Sequence, residues 1–172
     1  MIKNEQEYAV TLSWVERMGR AIAMLEKDED KKKNQPDVWQ LHYDGVTSQR
    51  SDLQEQVAEY EALVTHNPNE SITLQVECMN KISDLLIKAR IAFKITQKEL
   101  AALCERSEEQ IKLFEDKDYQ NATFLDFLAV SDALGVEIID GKFLAKMDEF
   151  YLKRLEAMRS SENMDAGLKA AS

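Results

Sequence analysis

The sequence predicts an all-α protein, and three observations lead to that class. The chain of 172 residues contains only five Gly and two Pro, so few residues interrupt a helix. Apolar residues recur every three or four positions along most of the chain, which is the period of an amphipathic helix. Two short segments, at residues 96–99 and 107–110, pair a hydroxyl side chain with Glu or Gln three residues later, a pattern that opens helices.

The first part of the chain, residues 1–66, is predicted to form an antiparallel helical hairpin. The first helix has one apolar stripe, formed by Tyr8, Leu12, Val15, Met18, Ile22 and Leu25. The run Glu26–Lys33 has no apolar residue and is expected to be the loop, after which Pro36 fits a first helical turn. The stripe of the second helix is formed by Val46, Leu53, Val57, Tyr60 and Val64. Two such helices fold back on each other, either as a purely structural hairpin or as an arm for oligomerisation or a partner.

Residues 67–78 are predicted to be a polar linker that ends in a short strand. Within them, Ile72, Leu74 and Val76 alternate with polar residues, which is the period of a strand. A second β-branched run occupies residues 136–139, so one minor two-stranded pairing is left open. Residues 141–160 are expected to form an extra C-terminal helix, and residues 161–172 a disordered tail with little apolar content.

Residues 79–140 are predicted to form a second helical domain. Its two capping patterns begin at Thr96 and Ser107 and open short helices over 97–104 and 108–116. Because only about three residues separate these helices, they must cross steeply, as in a helix-turn-helix. Gly135 stands where a left-handed residue ends a further helix. The apolar stripes place the core at Leu86, Leu100, Ile111, Leu125 and Leu128.

The segment LIKARIAFKITQKELA, residues 86–101, resembles the opening of the Xre, or phage-repressor-like, DNA-binding domain. Ser107–Glu115 and Tyr119 resemble the recognition helix and exit of that domain. With the KNEQEY start and the QVAEYEAL segment, the chain over residues 1–140 is similar to HigA-type antitoxins and regulators. The resemblance implies a five-helix, repressor-like domain that forms a homodimer on operator DNA. It also implies that the protein represses its own promoter and neutralises a cognate toxin.

The resemblance also implies roles for individual residues. Gln97 matches a position that contacts backbone phosphate, and Glu115 matches a structural Glu whose ordinary role is a local ion pair. Core positions of the family correspond to Leu100, Ala101, Cys104 and Ile111. Base-reading positions correspond to Glu108, Glu109 and Lys112. Together with the basic residues of the first two helices, the candidate DNA-binding residues are Lys88, Arg90, Lys94, Thr96, Gln97, Lys98, Ser107, Glu108, Glu109 and Lys112.

The charge of the chain supports a second hypothesis. The protein has a formal net charge of −10, and residues 81–140 contain eight basic and twelve acidic residues, a net charge of −4. Affinity for DNA depends on neutralising phosphates with Lys and Arg, so the domain has few charges suited to it. Two departures from the family, Glu105 for a turn Gly and Arg106 for a buried aliphatic residue, lie beside the recognition helix. The alternative is a protein-interaction module with a degenerate helix-turn-helix that binds a basic protein partner.

Other classes of function are not expected from the composition. His42 and His66 are the only His, without metal-ligand spacing, and no phosphate-binding Gly-rich loop occurs, so neither an enzyme nor a metal or other cofactor is predicted. Cys78 and Cys104 lie in apolar contexts without CxxC spacing and are expected to be reduced thiols. The apolar runs are too short to span a membrane, and the start resembles no signal peptide. A cytoplasmic protein is therefore expected.

Overall fold

The structure, a computed structural model, describes residues 1–76, 78–140 and 145–170, with side chains described as far as residue 159. Within these ranges all regular secondary structure is helical, which confirms the predicted all-α class. Met1–Glu137 form one compact unit and Ile138–Ser172 form another. In the described ranges, no helix is both long and apolar enough to cross a bilayer.

The hairpin consists of two long helices, α1 (Glu5–Lys27) and α3 (Pro36–Thr65). They are antiparallel, because the ring of Tyr8 near the start of α1 stacks on that of Tyr60 near the end of α3. At the other end, the indole N–H of Trp39 donates to the Leu25 carbonyl at 2.8 Å. The predicted stripe of α1 is half-buried throughout, whereas in α3 the prediction for Val64 is wrong. Val64 is 44% exposed and its neighbour Leu63 is buried instead.

The segment between the two long helices is a short helix, α2 (Glu29–Asn34), where a loop was predicted. The Asp28 side chain accepts a hydrogen bond from the Lys31 amide and so caps its first turn. Acidic residues in the first turn and lysines in the last turn also suit the helix dipole. A run without apolar residues therefore forms a helix because its charges are ordered along the axis.

Residues 79–140 contain four α-helices, preceded by a single 3-10 turn at Met79–Lys81. The helices are α4 (Ile82–Ala92), α5 (Gln97–Leu103), α6 (Glu108–Asp116) and α7 (Phe124–Ala133). The predicted capping boxes are both present, and a third one opens α7. The prediction of five helices in this range is wrong, because the chain leaves the helical conformation at Gly135 and residues 136–140 form no further helix.

All four of these helices end with a left-handed residue, namely Lys94, Glu105, Asp118 and Gly135. The residue after each one donates its amide to a carbonyl five positions earlier, as from Ile95 to Arg90, which is the Schellman type of helix end. The predicted left-handed conformation of Gly135 is confirmed, with φ of 62°. The other three positions carry side chains, and each costs about 1–3 kcal/mol that surrounding contacts must offset.

The core of the first unit lies among α4, α5, α6 and α7. Leu86, Leu100 and Ile111 are buried as predicted, and Leu63 of α3 belongs to the same cluster. The predictions for two leucines of α7 are wrong: Leu125 is 72% exposed and Leu128 is 45% exposed. The α7 side chain that is buried in the core is Val130, and Leu134, the residue directly after the helix, is buried as well. Because apolar residues occupy most sides of α7, periodicity alone does not select its buried face.

The predicted two-stranded pairing is absent from the described residues, where neither 72–76 nor 136–139 has strand conformation. In the first segment, burial nevertheless alternates at Ile72 and Leu74, which pack against the core while their neighbours are exposed. An irregular segment that covers a core on one side has the same period of two as a strand. In the second segment, Val136 alone packs against the core.

The last helix, α8, spans Glu149–Ala170. It begins where the Asp148 carboxylate accepts the Phe150 amide at 2.8 Å, which is later than the predicted start at residue 141. It also continues through residues 161–170, for which a disordered tail was predicted, along a stretch without Pro. The remaining residues of those two predictions, 141–144 and 171–172, lie outside the described ranges.

Candidate functional site

The candidate site is built on α5 and α6, which pack against each other across a turn at residues 104–107. The Arg106 amide donates to the Ala101 carbonyl at 2.9 Å, and Glu105 adopts φ of 53°. Glu105, which stands where the family has a turn Gly, thus adopts a left-handed conformation. The Arg106 side chain reaches Asp126 in the first turn of α7, with its Nε 2.8 Å from the carboxylate. The hydrogen bond from the Thr123 hydroxyl and the one from Arg106 lower the pKa of Asp126.

A buried ion pair joins α4 to α6. The Nε and Nη2 of Arg90 donate to the two carboxylate oxygens of Glu115, at 2.5 and 2.8 Å. Glu115 is 1% exposed and Arg90 8% exposed, so both charges are removed from water. The side-chain amide of Gln97, the first residue of α5, donates to Glu115 at 2.8 Å. One carboxylate thereby connects three helices and orients the Gln97 amide.

Two predicted phosphate contacts are engaged inside the protein. Arg90 is committed to Glu115, so it is not available to DNA. Lys88 forms an ion pair with Glu59 of α3 at 2.5 Å, and only 12% of its side chain is exposed. Two residues of the predicted binding surface are therefore each paired with a carboxylate of the protein, Arg90 in a buried position and Lys88 against the hairpin.

Four predicted residues remain close to the surface at the start of α5. Lys94 and Lys98 are exposed, and neither has a side-chain partner among the described residues. Gln97 is half-buried, with its amide held by Glu115. The Thr96 hydroxyl accepts from the Glu99 amide. The Thr96 backbone amide and hydroxyl donate to the Glu99 carboxylate at 2.8 and 2.7 Å, and these hydrogen bonds lower the pKa of Glu99. Thr96 thus acts as the cap of α5.

The start of α6 is acidic. The Ser107 hydroxyl caps this helix by accepting from the Gln110 amide at 3.2 Å. Glu108 forms an ion pair with Lys112 at 2.7 Å, and the hydrogen bond from Lys112 to Glu108 raises the pKa of Lys112. Hydrogen bonds at the start of the helix lower the pKa of Glu109, so this exposed side chain stays charged at neutral pH. The first turn of α6 therefore presents negative charge, with Lys112 balanced by Glu108.

One residue of this site is not foreseen from the sequence. Lys3, ahead of α1, donates from Nζ to the Glu115 carbonyl oxygen at 2.7 Å and pairs with Asp118 at 2.7 Å. No local pattern links Lys3 to residues more than 110 positions away, so only the tertiary structure reveals the contact. In the part of the chain that the structure describes, no group of three or more His, Cys, Asp or Glu is placed to hold a metal ion.

No protein-family model, no characterised protein and no solved structure matches this chain. The resemblance to the Xre family and to HigA-type antitoxins therefore rests on the sequence segments alone.

Proposed function

We propose that residues 79–140 are the helix-turn-helix unit of a DNA-binding transcriptional regulator. The observation that carries the proposal is the buried Arg90–Glu115–Gln97 network. It ties α4, α5 and α6 together, so α6 is held at a defined angle to α5, which is what recognition of a groove requires. In addition, the network fixes the side chain of Gln97, the first residue of α5. In the family, this position contacts a backbone phosphate.

In this proposal, α5 contacts the DNA backbone and α6 faces the bases. The exposed lysines at positions 94 and 98 supply the charge for phosphate contacts, together with the helix start at Gln97. The charged carboxylate of Glu109, at the start of α6, is repelled by the phosphates in this arrangement and therefore limits the affinity. By the resemblance, the operator is that of the protein's own promoter, and the second partner is a cognate toxin.

The first test is a titration of an own-promoter fragment at several salt concentrations. Because Lys94 and Lys98 are the free lysines beside α5, we expect a shallow salt slope of about −2 per half-site. Lys98→Ala should weaken binding to all sequences alike and reduce the slope by about 0.9. Glu109→Gln should strengthen binding, since it removes a charge that phosphates repel and supplies a donor.

Lys27→Ala is the matched control, because Lys27 is also exposed but lies in α1. Its affinity and salt slope should equal those of the wild-type protein. If Lys98→Ala behaves like Lys27→Ala while the wild type binds, α5 does not face the backbone. If neither the wild type nor Glu109→Gln binds a promoter fragment, the DNA-binding proposal fails.

A second expectation is a homodimer. Domains of this kind read two half-sites about one helical turn apart, which a two-fold symmetric pair of subunits matches. The first unit exposes apolar side chains that a second copy of the chain could cover. They include Val10, Trp14, Phe124 and Leu125. Light scattering at tens of micromolar should return twice the chain mass of 19.8 kDa. A monomer at that concentration would contradict the expectation.

The alternative function, binding of a basic protein, is favoured by a specific observation. Lys88 and Arg90 are neutralised inside the unit, while Glu108 and Glu109 begin α6 and Leu113 of the same helix is 49% exposed. A surface with carboxylates around an exposed leucine is better suited to bind a basic, partly apolar protein surface than to bind DNA phosphates. The titration separates the two functions, because Glu109→Gln strengthens DNA binding but weakens binding to a basic partner.

A further inference from the structure

The segment ahead of α1 is anchored in the first unit. The side chain of Ile2 is only 3% exposed, and the Lys3 amide donates to the Glu7 carboxylate at 2.9 Å. From this anchored backbone, the Lys3 side chain, 16% exposed, reaches the far end of α6. Its ammonium lies 2.7 Å from the Glu115 carbonyl oxygen and 2.7 Å from the Asp118 carboxylate.

The position of this ammonium matters because the last carbonyls of a helix lack the full set of helical partners, and the Glu115 carbonyl otherwise accepts from the Asp118 amide at 3.2 Å. A cation there is favoured by the helix dipole as well as by the hydrogen bond. The chain then turns through two successive left-handed residues, Asp118 with φ of 49° and Tyr119 with φ of 59°. Such backbone persists only when its surroundings hold it.

The two strained residues are held in different ways. The Tyr119 ring packs against Phe114 and Phe127, and its buried hydroxyl has no hydrogen-bond partner among the described residues. Its amide donates to the Phe114 carbonyl at 2.6 Å, so packing and this backbone hydrogen bond together hold the residue. Asp118 is held by its ion pair with Lys3. The segment ahead of α1 therefore supplies a positive charge at the exit of α6.

We infer that Lys3 is a positioning residue for α6. By binding the Glu115 carbonyl and the Asp118 carboxylate, it holds the last turn of α6, and that turn carries the Glu115 side chain that orients Gln97. The effect on α6 follows from these contacts alone. The effect on DNA affinity rests on the proposed function.

The first experiment is hydrogen–deuterium exchange on the full chain, comparing Lys3→Met, Lys3→Arg and the control Lys27→Met. The amides of Asp118, Tyr119 and Gln120 are hydrogen-bonded at the exit of α6. Loss of a charged hydrogen bond at this exit should speed their exchange about tenfold in Lys3→Met. Lys3→Arg should restore protection, since it keeps the cation. Exchange equal to that of Lys27→Met, or faster exchange spread evenly over the unit, would overturn the inference.

The second experiment is the promoter titration with the same variants. A positioning residue should lower affinity several-fold without changing the salt slope, whereas a direct phosphate contact lowers the slope by about 0.9. A reduced slope in Lys3→Met would therefore overturn the positioning role. If the wild-type protein binds no promoter fragment, the proposed function fails, and the exchange experiment still decides the role of Lys3.

Discussion

Replacing Glu115 by Leu is expected to lower the free energy of unfolding by about 3–5 kcal/mol, the range for breaking a buried ion pair from one side. The substitution leaves the Arg90 guanidinium buried without its carboxylate, and it also removes the acceptor of the Gln97 amide. Urea denaturation followed by far-UV circular dichroism measures the change, because the unit is helical.

Two further variants make this prediction specific. Asp116→Leu makes a similar change at the exposed neighbouring position, and its effect should stay within about 0.5 kcal/mol. The double variant Arg90→Met with Glu115→Leu removes both charges and should recover much of the lost stability, since no unpaired charge remains. A double variant that is less stable than either single variant would contradict the account of the network as one buried charge pair.

Replacing Leu100 by Ala is expected to cost about 2–5 kcal/mol, because it leaves a cavity where α5 packs in the core. The Leu100 side chain is 0% exposed. Leu103 of the same helix is 59% exposed, so Leu103→Ala is the matched control and should change stability by about 0.5 kcal/mol or less. Equal thermal shifts for the two variants would show that the core does not include Leu100.

The ends of the helices are determined by the sequence itself. The capping boxes that begin at Thr96 and Ser107 and the left-handed end at Gly135 are present as predicted. Each of these features depends on hydrogen bonds between residues three to five positions apart, so the residues that decide it lie within one short window. The half-buried stripe of α1 is predictable for the same reason, since a period of 3.6 residues is a local property.

The tertiary structure alone decided which charged side chains are free to contact a partner. Nothing in the neighbourhood of Lys88 or Arg90 indicates that one pairs with Glu59 and the other with Glu115, 25 or more residues away. The contact of Lys3 with the end of α6 likewise spans more than 110 residues. The tertiary structure also decided that α7 buries Val130 and leaves Leu125 exposed. Side-chain burial and ion pairing depend on which helix surfaces meet when the helices pack. Local sequence patterns do not determine which surfaces meet.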